Sequence, residues 1–246
     1  MKEILESGFD EMGINYTDTQ ISQLEKYARL LVKWNEVMNL TAITDMEEIA
    51  TKHFLDSASA INTGVIKGKV IDVGTGAGFP GLVLKIMKPE IELTLLDSLN
   101  KRLNFLKAVT DELLIDDVTF IHSRAEEGVR IKGMRESYDV AVSRAVANMT
   151  LLSELCMGYV KKGGNFVALK GPNAEDEAKS AKRAITIMGG EIDKIMDATV
   201  PHTPLDHKII IVKKVRQTPI KFPRKPALIS KAPIETCYNI KKKPVK

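Results

Sequence analysis

The sequence has 246 residues, of which 44% are hydrophobic and 28% are charged. This composition is typical of a globular protein and excludes a largely disordered chain, and no apolar run approaches the length of a membrane span. The first residues are acidic and amphipathic rather than apolar, so we expect no secretory signal and a cytoplasmic location. The length predicts one large α/β domain with an appendage.

The charge is unevenly distributed. The formal net charge is +4, but residues 213–246 contain eleven lysines or arginines and a single acid, Glu235, so the rest of the chain is acidic. A basic segment on an acidic body favours a polyanionic partner such as nucleic acid, and a solubilising tail without a partner is the alternative. Five prolines between residues 219 and 244 predict that the tail, residues 216–246, is extended.

The first part of the chain has the periodicity of helices. After Thr17, a suitable N-cap, apolar residues recur at helical spacing through Leu24, Leu31 and Met38, which predicts a long amphipathic helix. A second helix is predicted after Asp45, carrying His53. Residues 1–62 are therefore interpreted as a helical extension.

Residues 63–215 alternate between strand and helix patterns. This alternation predicts a mostly parallel sheet covered on both faces. The last two strands have no clear helix between them, so we expect them to form an antiparallel edge. The predicted strands are Val70–Val73, Ile91–Leu96, Val118–Ile121, Asp139–Val142, Phe166–Leu169, Glu191–Val200 and Lys208–Val215, and the predicted helices are Gly81–Met87, Lys101–Leu113, Ala125–Arg130, Met149–Val160 and Ala174–Met188.

A glycine-rich turn joins the first predicted strand to the first helix of this region. Gly74 follows Val73 directly, and Gly76 and Gly78 come next at alternate positions. Such a turn lets the backbone approach a ligand while the helix N-terminus favours an anionic group. Asp97 ends the second strand, where a carboxylate can accept hydrogen bonds from both hydroxyls of a ribose. Together these features predict a cofactor that contains adenosine.

The glycines alone fit two cofactors. Residues 76–81 match the dinucleotide pattern G-x-G-x-x-G, and residues 72–78 match the D-x-G-x-G-x-G pattern of S-adenosylmethionine sites. A dehydrogenase also needs hydride-transfer residues, and the one Tyr-x-x-x-Lys pair, Tyr238 and Lys242, lies in the basic tail. S-adenosylmethionine is therefore favoured over a nicotinamide cofactor.

The acceptor of the methyl group is indicated by motifs that the sequence lacks. Neither Cys156 nor Cys237 follows a proline, as cysteines that attack pyrimidine carbons commonly do, and Cys156 is interpreted as a buried apolar residue. The turn after the fourth strand, residues 143–146, has no Asn/Asp-Pro-Pro-aromatic sequence. A ring nitrogen such as guanine N7 needs positioning but no general base, so no catalytic residue is expected.

Further charged residues are expected at the same edge of the sheet. Arg144 follows the fourth strand and contacts a cofactor carboxylate or a substrate phosphate, or else forms a structural ion pair. Lys170 ends the fifth strand, so it lies either at the ligand-binding edge of the sheet or simply exposed to solvent. Ala125 and Glu126 flank the adenine, or Glu126 is an ordinary acid at a helix N-terminus. The four histidines lack the spacing of metal ligands, so no metal site is expected.

The chain resembles the bacterial 16S rRNA guanine-N7 methyltransferase family, known as RsmG or GidB. The resemblance runs in order from about residue 30 to residue 226 and is more specific than the glycine turn alone. The matching segments are residues 33–35, 39–41, 53–57, 72–81, 95–98, 101–102, 143–145, 168–171 and 222–225.

The resemblance implies a class I S-adenosylmethionine-dependent, Rossmann-like methyltransferase fold with an N-terminal helical extension. It implies methyl transfer to N7 of one guanine in the 530 loop of 16S rRNA, on free rRNA or on the small ribosomal subunit. We expect the enzyme to be a monomer. The resemblance places cofactor contacts at Gly74, Phe79, Ala125, Glu126 and Arg144. Asn39, His53, Asp56 and Ser57 match the family's N-terminal motif near the catalytic face, and Lys170 and Arg224 are further candidates for substrate contact.

Overall fold

The computed structural model describes residues 1–229, 231, 232 and 234. Seven strands are present in this part of the chain. They are β1 (Lys69–Val73), β2 (Glu92–Asp97), β3 (Val118–His122), β4 (Tyr138–Arg144), β5 (Val160–Lys170), β6 (Gly190–Ala198) and β7 (His207–Lys214). All seven belong to one sheet in the order β3–β2–β1–β4–β5–β7–β6.

Strands β1 to β5 pair in parallel, whereas β7 lies antiparallel to both β5 and β6. The predicted mixed sheet with an antiparallel edge is therefore confirmed. The largest difference lies at β5, which begins at Val160 rather than at Phe166, while the preceding helix ends at Cys156. The intervening residues are almost all apolar and buried, and such a run does not distinguish a helix from a buried strand by its periodicity.

In the part of the chain that the structure describes, the α-helices in chain order are α1 (Lys2–Met12), α2 (Asp18–Met38), α3 (Met46–Glu48), α4 (Asp56–Ala58), α5 (Gly81–Met87), α6 (Asn100–Leu113), α7 (Ala125–Gly128), α8 (Met149–Cys156), α9 (Ala174–Ile187) and α10 (Pro226–Ile229). Helices α5 to α9 fill connections between the strands, as the alternation predicts, whereas α1 to α4 precede β1 and α10 follows β7.

The helix predicted after Asp45 is present but changes its winding along its length. A π-helical stretch, Ile49–Leu55, connects α3 to α4, and a 3₁₀ turn, Ser59–Thr63, follows. One-turn π segments commonly occur at functional sites. Here the π-helical stretch carries His53, and Asp56 begins the turn after it.

The N-terminal helices pack on one face of the sheet. Leu5, Phe9 and Leu24 share a continuous hydrophobic core with residues of β1 and β2 such as Val70 and Leu95, while α8 and α9 cover a second core on the opposite face. The boundary predicted at residue 62 therefore marks a change in sequence pattern. The helices before it and the sheet after it share one hydrophobic core.

Helix α2 is also bound to the glycine turn by polar contacts. Thr17 and Gln20 form a capping box at its start, and the Gln20 amide also donates to the carbonyls of Ile86 and Met87 at the end of α5. The Tyr27 hydroxyl donates to the carbonyl of Ala77 within the turn. The helical extension thus supports the segment in which the sequence predicts the cofactor site.

Candidate active site

A cleft of about 590 Å³ opens at the carboxyl ends of β1, β2 and β4. This volume lies within the range of about 300–1,000 Å³ that is usual for cofactor and small-molecule sites. In parallel α/β sheets, ligands bind at this edge, where the strand order reverses. The lining residues are Leu40, Thr41, His53, Val73, Gly74, Thr75, Gly76, Ala77, Phe79, Leu96, Asp97, Ser98, Arg102, Ser123, Arg124, Ala125, Glu126, Arg144, Ala145, Val146 and Leu155.

The three glycines of the turn have different surroundings. Gly74 and Gly76 line the cleft, and a Cβ on Gly76 would point into open space, so this glycine leaves room beside the backbone. Gly78 is not among the lining residues; its φ is +99°, and a Cβ there would clash with the Tyr27 hydroxyl and Leu106. The contact of Gly78 with the cofactor stays a prediction; in the structure this glycine permits close packing against α2 and α6.

Asp97 stands at the end of β2 beside the glycine turn, as predicted. Its Oδ2 accepts from the backbone N–H of Gly76 at 2.9 Å, and its Oδ1 accepts from the N–H of Leu99 at 2.8 Å. Arg102 approaches Oδ2 at 3.4 Å. A carboxylate offers about four acceptor positions, so Asp97 retains capacity for hydroxyl donors in the cleft.

Asp72 organises the turn from within, a role that the pattern match did not reveal. Its Oδ2 accepts from the Thr75 hydroxyl at 2.7 Å and from the N–H of Gly81 at 2.8 Å, and the side chain is completely buried. Burial raises the pKa of Asp72 to about 6, against the opposing effect of these hydrogen bonds. The carboxylate thereby joins the end of β1 to the first residue of α5.

The predicted pair after β3 lines the far side of the cleft. Ala125 and Glu126 begin α7, and Glu126 is largely buried there. Ser123 and Arg124 also line the cleft. These two were not predicted from the sequence, although they directly follow β3, where residues at this edge of the sheet are expected.

An aromatic stack forms the wall next to the glycine turn. The ring of Phe79 stacks on His53 with centroids 4.4 Å apart, and on Tyr27 with centroids 5.6 Å apart. The guanidinium of Arg144 lies 5.0 Å from the centroid of the same ring. Phe79, His53 and Arg144, which the sequence places far apart, are thus brought together at one point of the cleft.

Arg144 donates to several groups of the N-terminal segment. Its Nη1 donates to Asp56 Oδ2 at 2.6 Å and to the carbonyl of Lys52 at 3.0 Å. Its Nη2 lies 3.2 Å from Nδ1 of His53. The same Nδ1 also lies 3.2 Å from the carbonyl of Lys52, and Nε2 lies 2.9 Å from the Thr41 hydroxyl.

Burial and neighbouring charges set the protonation states of His53 and Asp56, two side chains that contact Arg144. Burial and the neighbouring Arg144 lower the pKa of His53 to about 4, so the ring is neutral at physiological pH. Burial opposes ionisation of Asp56, but hydrogen bonds from His207 and Arg144 and their charges bring its pKa below the ordinary value. His207, at the start of β7, donates from Nδ1 to Asp56 Oδ1 at 2.7 Å.

The remaining predicted substrate residues are less close to the cleft. Asn39 is exposed at the end of α2, and Ser57 is buried with no hydrogen-bond partner for its hydroxyl among the described residues. Lys170 donates to the carbonyl of Ala147 at 2.9 Å and pairs with Glu177 at 2.8 Å, so it supports the loop after β4. None of these three is among the lining residues in the described part of the chain.

Arg224 lies outside the cleft and pairs with the buried Glu154 of α8. Its Nε donates to Oε1 at 2.8 Å and its Nη2 to Oε2 at 2.7 Å. Both oxygens of a buried carboxylate bind its guanidinium, so the contact of Arg224 with substrate stays a prediction that the position outside the cleft does not support.

The first three cations of the basic segment are bound to the protein. Lys213 donates to the carbonyl of Gly163, Lys214 to that of Met157, and Arg216 to that of Thr186. Lys214 is fully buried beside Glu136, and burial lowers its pKa to about 8. The tail is predicted to be extended, but its described part contains the helix α10 and a turn at residues 220–221. The lysines between 241 and 246, together with Cys237 and Tyr238, lie outside the described residues.

Cys156 is completely buried, as predicted, and burial raises the pKa of its thiol. Over the range that the structure describes, no three His, Cys, Asp or Glu side chains are grouped so that they would hold a metal ion. Within the same range, no helix is both long and apolar enough to cross a bilayer.

Comparison with known proteins identifies the family that this sequence matches. The family model of rRNA small subunit methyltransferase G matches residues 20–204. A protein named ribosomal RNA small subunit methyltransferase G from Alkaliphilus metalliredigens (strain QYMF) is 49% identical over 236 residues, which cover 95% of this chain and 99% of that protein. A relative of the same name from Clostridium perfringens (strain SM101 / Type A) is 47% identical over 235 residues, or 95% and 98% of the two chains.

Solved structures resemble the fold at low sequence identity. TrmN from Thermus thermophilus has a TM-score of 0.51 and 15% identity, covering 68% of this chain and 53% of that chain. A variant of the branched-chain polyamine synthase from the same organism has a TM-score of 0.55 and 13% identity, covering 80% and 65%. The sheet order and the family match together confirm the predicted class I methyltransferase fold.

Proposed function

The chain belongs to the rRNA small subunit methyltransferase G family, and on this premise we propose that it transfers a methyl group from S-adenosylmethionine to N7 of one guanine in the 530 loop of 16S rRNA. The observation that carries the proposal is the cleft in which Gly76, Asp97 and Arg144 meet at the carboxyl edge of the sheet. When bound, the cofactor supplies an electrophilic methyl group on a sulfonium.

The cleft has a donor and acceptor set that fits this cofactor. Asp97 accepts from the ribose hydroxyls, since its two oxygens are already oriented by the backbone of the turn. Ala125 and Glu126 flank the adenine, and the backbone at Gly76 gives the ligand room for close approach. Arg144 supplies the positive charge that a carboxylate needs.

No general base is required for this reaction, because guanine N7 presents a lone pair and carries no proton. His53 is the histidine of the cleft wall, and both of its ring nitrogens are engaged, one with Arg144 and one with Thr41. With a pKa of about 4 it stays neutral at physiological pH. The catalytic contribution of the protein is therefore to align the base with the methyl group and to exclude water.

The substrate is 16S rRNA, free or within the small ribosomal subunit. Asn39, His53, Asp56 and Ser57 remain candidates for the face that meets RNA, with Asp56 and Ser57 acting from buried positions. We also propose that the enzyme is a cytoplasmic monomer and needs no metal ion. The target guanine must leave its stack to enter the cleft.

The proposal is tested by methylating rRNA from a strain that lacks the modification. Naked 16S rRNA and small subunits are each incubated with the protein and S-adenosylmethionine, and the nucleosides are mapped by mass spectrometry. We expect one 7-methylguanosine in the 530 loop. Its absence from both substrates rejects the proposal. Calorimetry with NAD tests the dehydrogenase alternative, and RNA binding without turnover would indicate a non-catalytic RNA-binding protein.

Asp97→Ala should weaken S-adenosylmethionine binding by roughly 1–3 kcal/mol, because charge-assisted hydrogen bonds are lost. Calorimetry measures the affinity, and Asp111→Ala, which changes an exposed acid on the neighbouring α6, is the matched control. Unchanged affinity in the Asp97 variant, with the fold intact by circular dichroism, means that the ribose assignment is wrong.

A further inference from the structure

His207 belongs to none of the motifs that identified the cleft, yet it contacts the group that holds Arg144. It lies at the start of β7, whereas Asp56 follows the π-helical stretch and Arg144 ends β4. The sheet brings β4 and β7 to either side of β5. Three distant parts of the chain therefore meet at one carboxylate.

The geometry couples the two cations through that carboxylate. Asp56 Oδ1 accepts from His207 at 2.7 Å, and Oδ2 accepts from Arg144 at 2.6 Å. The side chain of Asp56 is only 2% exposed, so solvent does not screen the contact, whereas that of His207 is 28% exposed and can exchange protons with water. Asp56 therefore pairs with Arg144, whose charge is permanent, and with His207, whose charge depends on pH.

The protonation of His207 changes what Arg144 offers to the cleft. When His207 is charged, Asp56 is neutralised from one side, and the three groups together carry a net positive charge. When His207 is neutral, the charge of Asp56 is directed at Arg144, and the net charge of the three groups is zero. An anionic group in the cleft next to Arg144 is therefore held more tightly when His207 is protonated.

We propose that His207 is a positioning residue that acts through Asp56 to set the orientation and effective charge of Arg144 toward the carboxylate of the bound cofactor. This rests on the proposed function, in which Arg144 faces that carboxylate. His207 does not itself line the cleft, so its influence passes through the buried Asp56.

Several charged groups share the surroundings of His207. The hydrogen bond to Asp56 raises the pKa of His207 above its ordinary value, against the opposing effect of burial, and the charges of Asp56, Arg144 and Asp206 act on it as well. The groove beside it adds further titratable side chains. These are Glu11, Asp197 and His202.

The test measures S-adenosylmethionine affinity by calorimetry from pH 5.5 to 8.5 for the parent chain and for His207→Asn. The asparagine amide keeps a donor near the position of Nδ1 but does not titrate. His207→Ala removes the donor altogether. His202→Ala is the matched control, because that histidine lies in the loop just before β7 and bonds to the Ser7 hydroxyl instead. Thermal unfolding verifies that each variant folds.

We expect the advantage of the parent over His207→Asn to shrink as the pH rises from 5.5 to 8.5, because His207 loses its proton and its charge. At pH 6 the parent should bind about threefold to tenfold more tightly, since His207 carries the additional charge there. His207→Ala should bind more weakly than His207→Asn at every pH, because Asp56 loses a donor, and His202→Ala should follow the parent. The α-amino group of the cofactor and Asp72 also titrate in this range, but both are the same in all variants.

Parallel pH profiles for the parent and His207→Asn would overturn the proposal, even if His207→Ala is weakened, because a purely structural contact does not depend on the charge of the ring. Absence of binding by the parent at every pH would instead overturn the proposed function. The two failures are therefore distinguishable in one set of titrations.

Discussion

Two buried arginine–carboxylate pairs in this protein have similar burial and different surroundings. Arg144 and Asp56 are 13% and 2% exposed, and Arg224 and Glu154 are 10% and 1% exposed. Glu154 binds Arg224 through both oxygens and also accepts from the Arg224 backbone N–H. Asp56 gives only one oxygen to Arg144 and the other to His207.

The difference shows how one type of interaction serves two purposes. Where one arginine engages both oxygens of a buried carboxylate, the pair fixes a segment of chain, here the residues after β7 against α8. Where two cations share the carboxylate and the arginine borders a cleft, the net charge next to the cleft changes when a ligand binds or a proton is gained. Burial alone therefore does not distinguish an anchor from part of a binding site.

The largest effect is expected when the anchoring pair is broken. Arg224→Ala leaves Glu154 charged and buried without its main partner, which should lower the free energy of unfolding by about 3–5 kcal/mol. Urea denaturation measures this change. Asp176→Ala, which removes an exposed i,i+3 pair with Lys179, should change stability by less than about 0.5 kcal/mol. Cofactor affinity of Arg224→Ala should equal that of the parent below the unfolding transition.

The pair at the cleft should behave in the opposite way, with a smaller loss of stability and a larger loss of cofactor affinity. Arg144→Ala should cost about 1–3 kcal/mol of stability, because Asp56 retains its hydrogen bond from His207. The same variant should bind S-adenosylmethionine at least tenfold more weakly through loss of a charge-assisted contact. Denaturation and calorimetry on the same samples give both values. If Arg144→Ala is the less stable variant and binds the cofactor normally, the comparison between the two pairs fails.

The smallest effect concerns RNA attraction by the basic segment. Lys213 already donates to a carbonyl of the protein, so Lys213→Gln should leave the salt dependence of RNA binding nearly unchanged. Removal of residues 239–246, which contain four lysines, should reduce the slope of log affinity against log salt by up to about 2.8 if all four meet phosphates of single-stranded RNA. Filter binding between 50 and 200 mM salt separates the two variants, and an equal slope in both would show that the tail does not contact RNA.

The sequence was most informative where function depends on neighbouring residues. The alternation of strands and helices, the glycine turn after β1 and the carboxylate at the end of β2 are local patterns, and each was found where the periodicity placed it. The sequence did not show that Gly76 lines the cleft whereas Gly78 packs against helices. That distinction depends on Tyr27 and Leu106, which lie on α2 and α6.

Arg144 and Arg224 looked alike as candidate contacts with ligand or substrate, because the sequence does not say which acid each will meet. Glu154 is 70 positions from Arg224, and Asp56 is 88 positions from Arg144. Nothing in either local pattern encodes these pairings. His207 was missed for the same reason.

The sequence by itself determined the order of the elements and the place of the glycine turn, since hydrophobic period and turn chemistry act over a few residues. Only the tertiary structure decided which charges became partners, because a buried ion must find its counterion wherever the packed chain brings one within reach. That selection separates a cation that fixes the chain from one that faces the cleft.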